Sequence, residues 1–424
     1  MLLSSLAGVL LLALAVQLAA LWRMGGRRAI GDELGYLERG GSQDPLAPRQ
    51  FLRVPLLPWL AAFCRGSAPL DVGERRLRLL MSAAGILTVV VTAIAGWQLG
   101  GPAVALLGAL LLAVQPERVL LGCHLWPDTL LALVLAGQTA VSALPASPAV
   151  ALIAGGLCTL GVLTRIDFLV VPPLLLAAWR VSQGPLSALT GWAVIGPPLL
   201  ALALVTIRNG RRYGVWLPDD TWAFNLMVAR SEARLVDEGR FAIEPAVADA
   251  VKSWRDLTHR QAPRQGLGAL WENLRSPHHF GRGIARRILT LVGPDTFLRQ
   301  KVLPRDAAYP DLADRWRRRW DAALRIAFPL LAATVLISGL AGPRLPGGFA
   351  WPTLGLLAVA VLFHARTRYR VTALPALSLV AAQGIVRCRD LLEGRPLAAA
   401  LLLGAGAVLF WALLRIRCSA ELRP

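Results

Sequence analysis

Two carboxylates stand side by side in GDELGYLERG, residues 31–40, directly behind the first long apolar run. A carboxylate at a membrane surface costs free energy unless it is paired or used. Asp32, partly desolvated there, is a candidate general base for an acceptor hydroxyl or amine, with Glu33 beside it. The competing reading is a solvated pair in which Asp32 caps the short helix LGYLERG. A third acid, Asp128 in CHLWPDTLLALVL, opens another apolar run. After Pro127 at a helix N-terminus it is favourable with the helix dipole alone, or it orients a substrate or a metal. His124 and Glu117 lie near it, a scattered set that leaves a divalent metal ion open without a metal-binding spacing.

Guanidinium groups supply the complementary chemistry. Arg366, Arg368 and Arg370 crowd around Tyr369 in HARTRYR (364–370), Arg53 precedes Pro55 in FLRVPLLPWLAAF (51–63), and Arg165 stands two residues before Asp167 in LTRIDF. Several such groups at one rim make a phosphate clamp, whereas any one of them, and each arginine of RNGRRYG (208–214), reads more readily as a headgroup anchor. Arg165 either pairs locally with Asp167 or faces the same cavity. No Walker loop, GxSxG elbow, HExxH helix or GxGxxG turn occurs, so nucleotide-driven or cytosolic hydrolytic chemistry has no support. The five cysteines (Cys64, Cys123, Cys158, Cys388, Cys418) show no CxxC or CxxH spacing and suggest neither a metal cluster nor a disulfide framework.

These residues must be positioned by apolar elements. Of 424 residues 55% are hydrophobic, and apolar runs recur along the whole length. A span needs roughly 20 such residues to cross a hydrocarbon core about 30 Å thick. Runs that can span lie near 2–22, 77–97, 102–122, 125–143, 148–164, 166–180, 187–207, 322–341, 349–365, 371–386 and 397–415. The fold class is therefore all-α: a polytopic helical membrane protein with about eleven transmembrane helices. Residues 1–22 lack a basic leader and are read as a retained span. The net charge of +19 is carried by arginines that flank apolar runs or sit in one central segment, so anionic lipid headgroups and lipid phosphates are its partners and nucleic acid is not.

The run at 51–63, short and interrupted by Arg53, Pro55 and Pro58, reads as an interfacial helix that does not cross. On that reading the 23–76 loop, the 123–128 turn, the 208–321 segment and the 366–370 cluster share one face. Basic residues at the opposite connections (Arg180, Arg344, Arg387, Arg389, Arg395) put the N-terminus in the cytoplasm and the shared face outside it. The organisation expected is a transmembrane module over 1–207, an extracytoplasmic segment over 208–321, ending in a Trp- and Arg-rich juxtamembrane helix at 314–324, and further spans over 322–424.

DELGY, RVPLLPWL, LWPDTLLALVLAG, LTRIDFLVVPPLLL, TIRNGRRYG and TRYRVTALPAL, in that order between Asp32 and about Gly384, resemble the GT-C superfamily of integral-membrane glycosyltransferases. The resemblance is to the bacterial branch related to protein O-mannosyltransferases and to aminoarabinose transferases acting on lipid A. It departs where Val54 separates the basic residue from proline, and in lacking the soluble carboxy-terminal domains of some relatives. The resemblance implies Asp32 as catalytic base, Glu33 as its supporting neighbour and Tyr36 as a support of the loop. It implies Asp128 as the second acidic position, which in some relatives touches a metal or the acceptor. Arg53 and Arg366, Arg368 and Arg370 would hold the donor phosphate.

The function so implied is inverting transfer of a sugar from a polyprenyl-phosphate donor to a lipid, glycan or protein acceptor, at the extracytoplasmic face of the bacterial cytoplasmic membrane. Two other classes stay open. An O-antigen-ligase-like transferase would depend on Arg and His in the external segment, His278 among them. A lipid or solute transporter would carry charges buried mid-span or an inverted repeat, and neither stands out.

Overall fold

The computed structural model of the chain describes residues 2–23, 29, 32–39, 53–237, 243–255, 257–295, 297–304, 308–309, 312–340, 347–363, 367–394 and 404–412. Among these every regular element is helical. The first half holds α1 (Leu2–Arg23), α2 (Asp32–Arg39), α3 (Leu56–Arg65), α4 (Leu70–Ala113), α5 (Pro116–Gly122), α6 (Asp128–Ser142), α7 (Pro148–Thr164), α8 (Val171–Gln183) and α9 (Ala188–Tyr213). The second holds α10 (Thr221–Asp237), α11 (Ile243–Arg255), α12 (Ala262–Arg275), α13 (Pro277–Val292), α14 (Phe297–Lys301), α15 (Asp314–Leu340), α16 (Trp351–Phe363) and α17 (Leu374–Gly394). Short 3-10 turns precede α8 (Ile166–Val170), α16 (Gly347–Ala350) and α17 (Thr367–Ala373).

Six helical stretches among the described residues are long and apolar enough to cross a membrane: Ser4–Trp22, Leu70–Ala113, Ile166–Gln183, Ala188–Tyr213, Asp314–Gly339 and Thr367–Arg389. Four shorter apolar helices, α3, α6, α7 and α16, accompany them. The protein is a polytopic helical membrane protein. Its helices follow the expected runs with two differences of cause. The runs at 77–97 and 102–122 meet in α4, which bends at Gly101, where φ is 76°, a value that suits glycine, and where Pro102 cannot donate to the helical ladder. The second run also ends early: Gln115 is extended and Pro116 starts α5 afresh, so 116–122 is a separate short helix. The last expected run is described only over 404–412.

Helix α4 is the spine, packing against α1, α3, α5, α6 and α17. Buried Val89, Leu112, Leu121, Trp126, Leu298 and Leu374 belong to one apolar core that joins it to α14, α15 and α17. A second bundle is formed by α7 on α9, brought close at Gly155, where a Cβ would meet the Ala193 carbonyl oxygen. Helices α10, α11 and α12 share a separate small core around Ala223, Met227, Ala250 and Trp254. Trp316 and Trp320, in the stretch expected to form a juxtamembrane helix, lie in the first turns of α15, which runs unbroken from Asp314, and pack against the main core.

Candidate active site

Helix α2 begins at Asp32, so both acids lie inside its first turn, where carboxylates favour the positive end of the dipole. Neighbouring helical residues are about 100° apart, whereas residues four apart share a face. Asp32 and Tyr36 accordingly look one way and Glu33 another. Arg53, in the stretch before α3, donates through Nη2 to Asp32 Oδ1 at 3.0 Å and through Nη1 to the Tyr36 hydroxyl at 2.6 Å. Arg368, in the turn before α17, donates through Nη2 to the other oxygen, Asp32 Oδ2, at 3.2 Å. One carboxylate is thus gripped by two guanidiniums from distant parts of the chain. Burial pushes the Asp32 carboxyl up, but the charges of Arg53 and Arg368 outweigh that and hold it well below the usual carboxylate range.

Behind the clamp sits Asp128, fully buried at the start of α6. Its Oδ1 accepts from Arg165 Nη1 at 3.4 Å, and its Oδ2 lies 4.0 Å from Arg368 Nε. Arg165 also binds Asp167 through two bonds, so both alternatives left open for it by the sequence hold: it pairs locally and reaches the cluster. Aromatic rings wall the arginines. The Arg368 guanidinium lies 5.6 Å from the Trp126 ring centroid, 4.9 Å from Phe297 and 5.3 Å from Tyr369, and Arg165 lies 4.4 Å from Tyr369. Asp128 Oδ2, Arg368 Nε and Trp126 Nε1 are buried without a hydrogen-bond partner among the described residues. Buried polar groups of that kind are capacity for further hydrogen bonds.

Two expected members of the site point elsewhere. Glu33 is fully buried; its Oε1 accepts from the Leu125 amide at 2.7 Å and faces His124 Nδ1 at 3.2 Å. It therefore ties α2 to the α5–α6 connection. Arg370 belongs to a 3-10 turn with three residues per turn, so it points away from the side that Arg368 occupies. It binds Glu117 at 3.0 Å through Nε, donates to the Leu291 and Gly293 carbonyls and lies over the Phe328 ring. Arg366 lies outside the described residues.

Sequence reasoning missed Trp126, Phe297 and Asp219. Asp219 accepts from the Val54 amide at 3.2 Å, which anchors the Arg53 stretch to the start of α10. Burial raises its carboxyl to about 6 against the opposing hydrogen bond from Thr221. The tryptophan of LWPD, one residue from the proline before Asp128, was the only local signal available. The loose set of Glu117, His124 and Asp128 does not assemble: Glu117 pairs with Arg370 and His124 with Glu33. No three His, Cys, Asp or Glu among the described residues converge as metal ligands. Asp32 and Asp128 are separated by the Arg368 guanidinium, which does not fit a divalent cation between them.

No family model matches the sequence, and no curated protein matches it. Solved structures do. The apo oligosaccharyltransferase of Archaeoglobus fulgidus superposes with a TM-score of 0.54 at 14% identity, covering 99% of this chain and 56% of that one. The two chains share a fold. ArnT from Cupriavidus metallidurans, solved bound to undecaprenyl phosphate, matches at 16% identity with a TM-score of 0.41 over 92% of this chain and 80% of that one. The chain spans just over half the length of the archaeal protein. At such identities the likeness is one of fold, and a shared fold leaves the chemistry to the site.

Proposed function

We propose that the protein is a glycosyltransferase that moves a sugar from a polyprenyl-phosphate donor to an acceptor at the extracytoplasmic face of the bacterial cytoplasmic membrane. The observation that carries this reading is the convergence of Arg53 and Arg368 on Asp32, with Asp128 and Arg165 behind them. Paired guanidiniums suit a lipid phosphate, and an acid among them suits the acceptor's proton.

In the reaction, the acceptor oxygen or nitrogen attacks the anomeric carbon and a new bond to that carbon forms. The bond from the anomeric carbon to the phosphate oxygen breaks on the opposite side, its electron pair stays on the phosphate, and configuration inverts. Asp32 takes the acceptor's proton. Arg53 and Arg368 stabilise the negative charge that grows on the leaving phosphate. Tyr36 orients Arg53, and Asp128 with Arg165 orients Arg368. Helices α2 and α3 hold both partners at attack distance.

The test uses purified protein in vesicles and a panel of radiolabelled polyprenyl-phosphate sugars. Label should move to an acceptor with equal release of polyprenyl phosphate. Turnover of the same donor that is unaffected by Asp32→Asn overturns the assignment of the base.

A further inference from the structure

The clamp that supports the reading also poses a difficulty for it: a carboxylate bonded through both oxygens to guanidiniums is a weak proton acceptor, and both guanidiniums are wanted by the phosphate. Resting on the function just proposed, we infer that Asp32 and the donor phosphate compete for one pair of guanidiniums, so the lipid phosphate binds by displacing the carboxylate and thereby frees it to act as base.

Three features carry this. First, the grip uses both ends of the carboxylate: Oδ1 takes Arg53 and Oδ2 takes Arg368, so the two arginines already converge on a paired-oxygen edge. A phosphate presents the same kind of edge to guanidinium forks. Second, the arginines are held in place. Arg53 is bonded to Tyr36 and stacked 4.8 Å from its ring, and its neighbour Val54 is anchored on Asp219. Arg368 is enclosed by Trp126, Phe297 and Tyr369 with Asp128 behind. The phosphate must come to them. Third, exposure is graded in the direction an incoming anion meets. The Asp32 side chain is 34% exposed, against 16% for Arg53 and 11% for Arg368. The carboxylate lies on the outer side of the pair, where a headgroup arrives.

Asp32 thus serves as resident anion to both guanidiniums while no donor is bound. When phosphate takes the guanidiniums, Asp32 loses two cationic partners and gains an anionic neighbour. Both changes make it a better proton acceptor. The base exists only while donor is present, which orders the reaction with donor first.

Binding of polyprenyl phosphate, which carries no sugar, and of the uncharged polyprenol should be measured on wild type and Asp32→Asn in the same vesicles. The expected result is preference of wild type for the phosphate, with Asp32→Asn binding it tighter by about tenfold and polyprenol unchanged. Equal or weaker phosphate binding by Asp32→Asn, with the phosphate preference kept, overturns the exchange and leaves the phosphate site standing. Loss of the phosphate preference in wild type itself overturns the function on which it rests. Hydrogen exchange of wild type gives the same decision without a variant: amides of 32–39 should exchange faster once polyprenyl phosphate binds. Slower exchange there means the phosphate adds to an intact clamp, contrary to the inference.

Discussion

Arg368 and Asp32, 336 residues apart in the chain, meet at 3.2 Å. The contact joins helix α2, behind the first span, to the turn that opens α17.

Asp32→Asn keeps the shape of the side chain and removes its charge. A lost general base typically costs about 10²–10⁴-fold in rate. The ion pairs involve a side chain about one-third exposed, so folding should suffer by only about 1 kcal/mol. Transfer assays beside quantitation of folded protein in the membrane check this. Substantial turnover in the variant, or loss of the protein from the membrane, would speak against it.

The pH dependence of stability has a definite sign. The Asp32 carboxyl is depressed in the folded chain by Arg53 and Arg368. The unfolded chain therefore binds more protons as pH falls, and the stabilisation is complete above the ordinary carboxylate value near ~4 and lost only as pH falls through the depressed one. The difference in melting temperature between wild type and Asp32→Asn should stay flat from about pH 8 to about pH 5. A difference that shrinks markedly across that range would contradict the clamp.

Arg368 and Arg370 should separate cleanly. Arg368→Ala should raise the donor KM by about 10- to 100-fold with the fold retained, since the lost contacts are to a charged ligand. Arg370→Ala leaves Glu117 buried without its cation and should destabilise the protein by about 3–5 kcal/mol. Steady-state kinetics over donor concentration and thermal unfolding distinguish them; equal donor KM effects would merge two residues that the turn sets apart.

Glu33→Ala should resemble Arg370→Ala rather than Asp32→Asn. It leaves the Leu125 amide, His124 and Arg78 facing a gap in the core, a loss of about 3 kcal/mol. Unfolding measurements should register it, while the surviving folded fraction keeps its phosphate preference. A variant of full stability and no activity would return Glu33 to the reacting groups.

How far these distinctions could be read in the sequence follows from geometry. The span-length runs and the start of the short helix α3 after Pro55 depend on composition and local chain chemistry, which a sequence displays directly. The family resemblance pointed to Asp32, Arg53, Asp128 and Arg368, which do lie together, while the sequence left Arg165 open between local pairing and the same cluster. What stayed hidden is rotation about an element's axis. Glu33 sits one step round α2 from Asp32, and Arg370 two steps round a 3-10 turn from Arg368, and neither step is visible without knowing the element and its period. The break of 102–122 at Pro116 was visible but outweighed by hydropathy. Asp219, which steadies the Arg53 stretch from 165 residues away, carries no local signal at all.

The most direct test is a structure of the protein with a bound polyprenyl-phosphate sugar. The phosphate should lie between the guanidiniums of Arg53 and Arg368, with Asp32 turned from both toward the anomeric centre. A phosphate bound instead on Arg211 and Arg212, exposed in the last turn of α9, with the Asp32 ion pairs undisturbed, would contradict it.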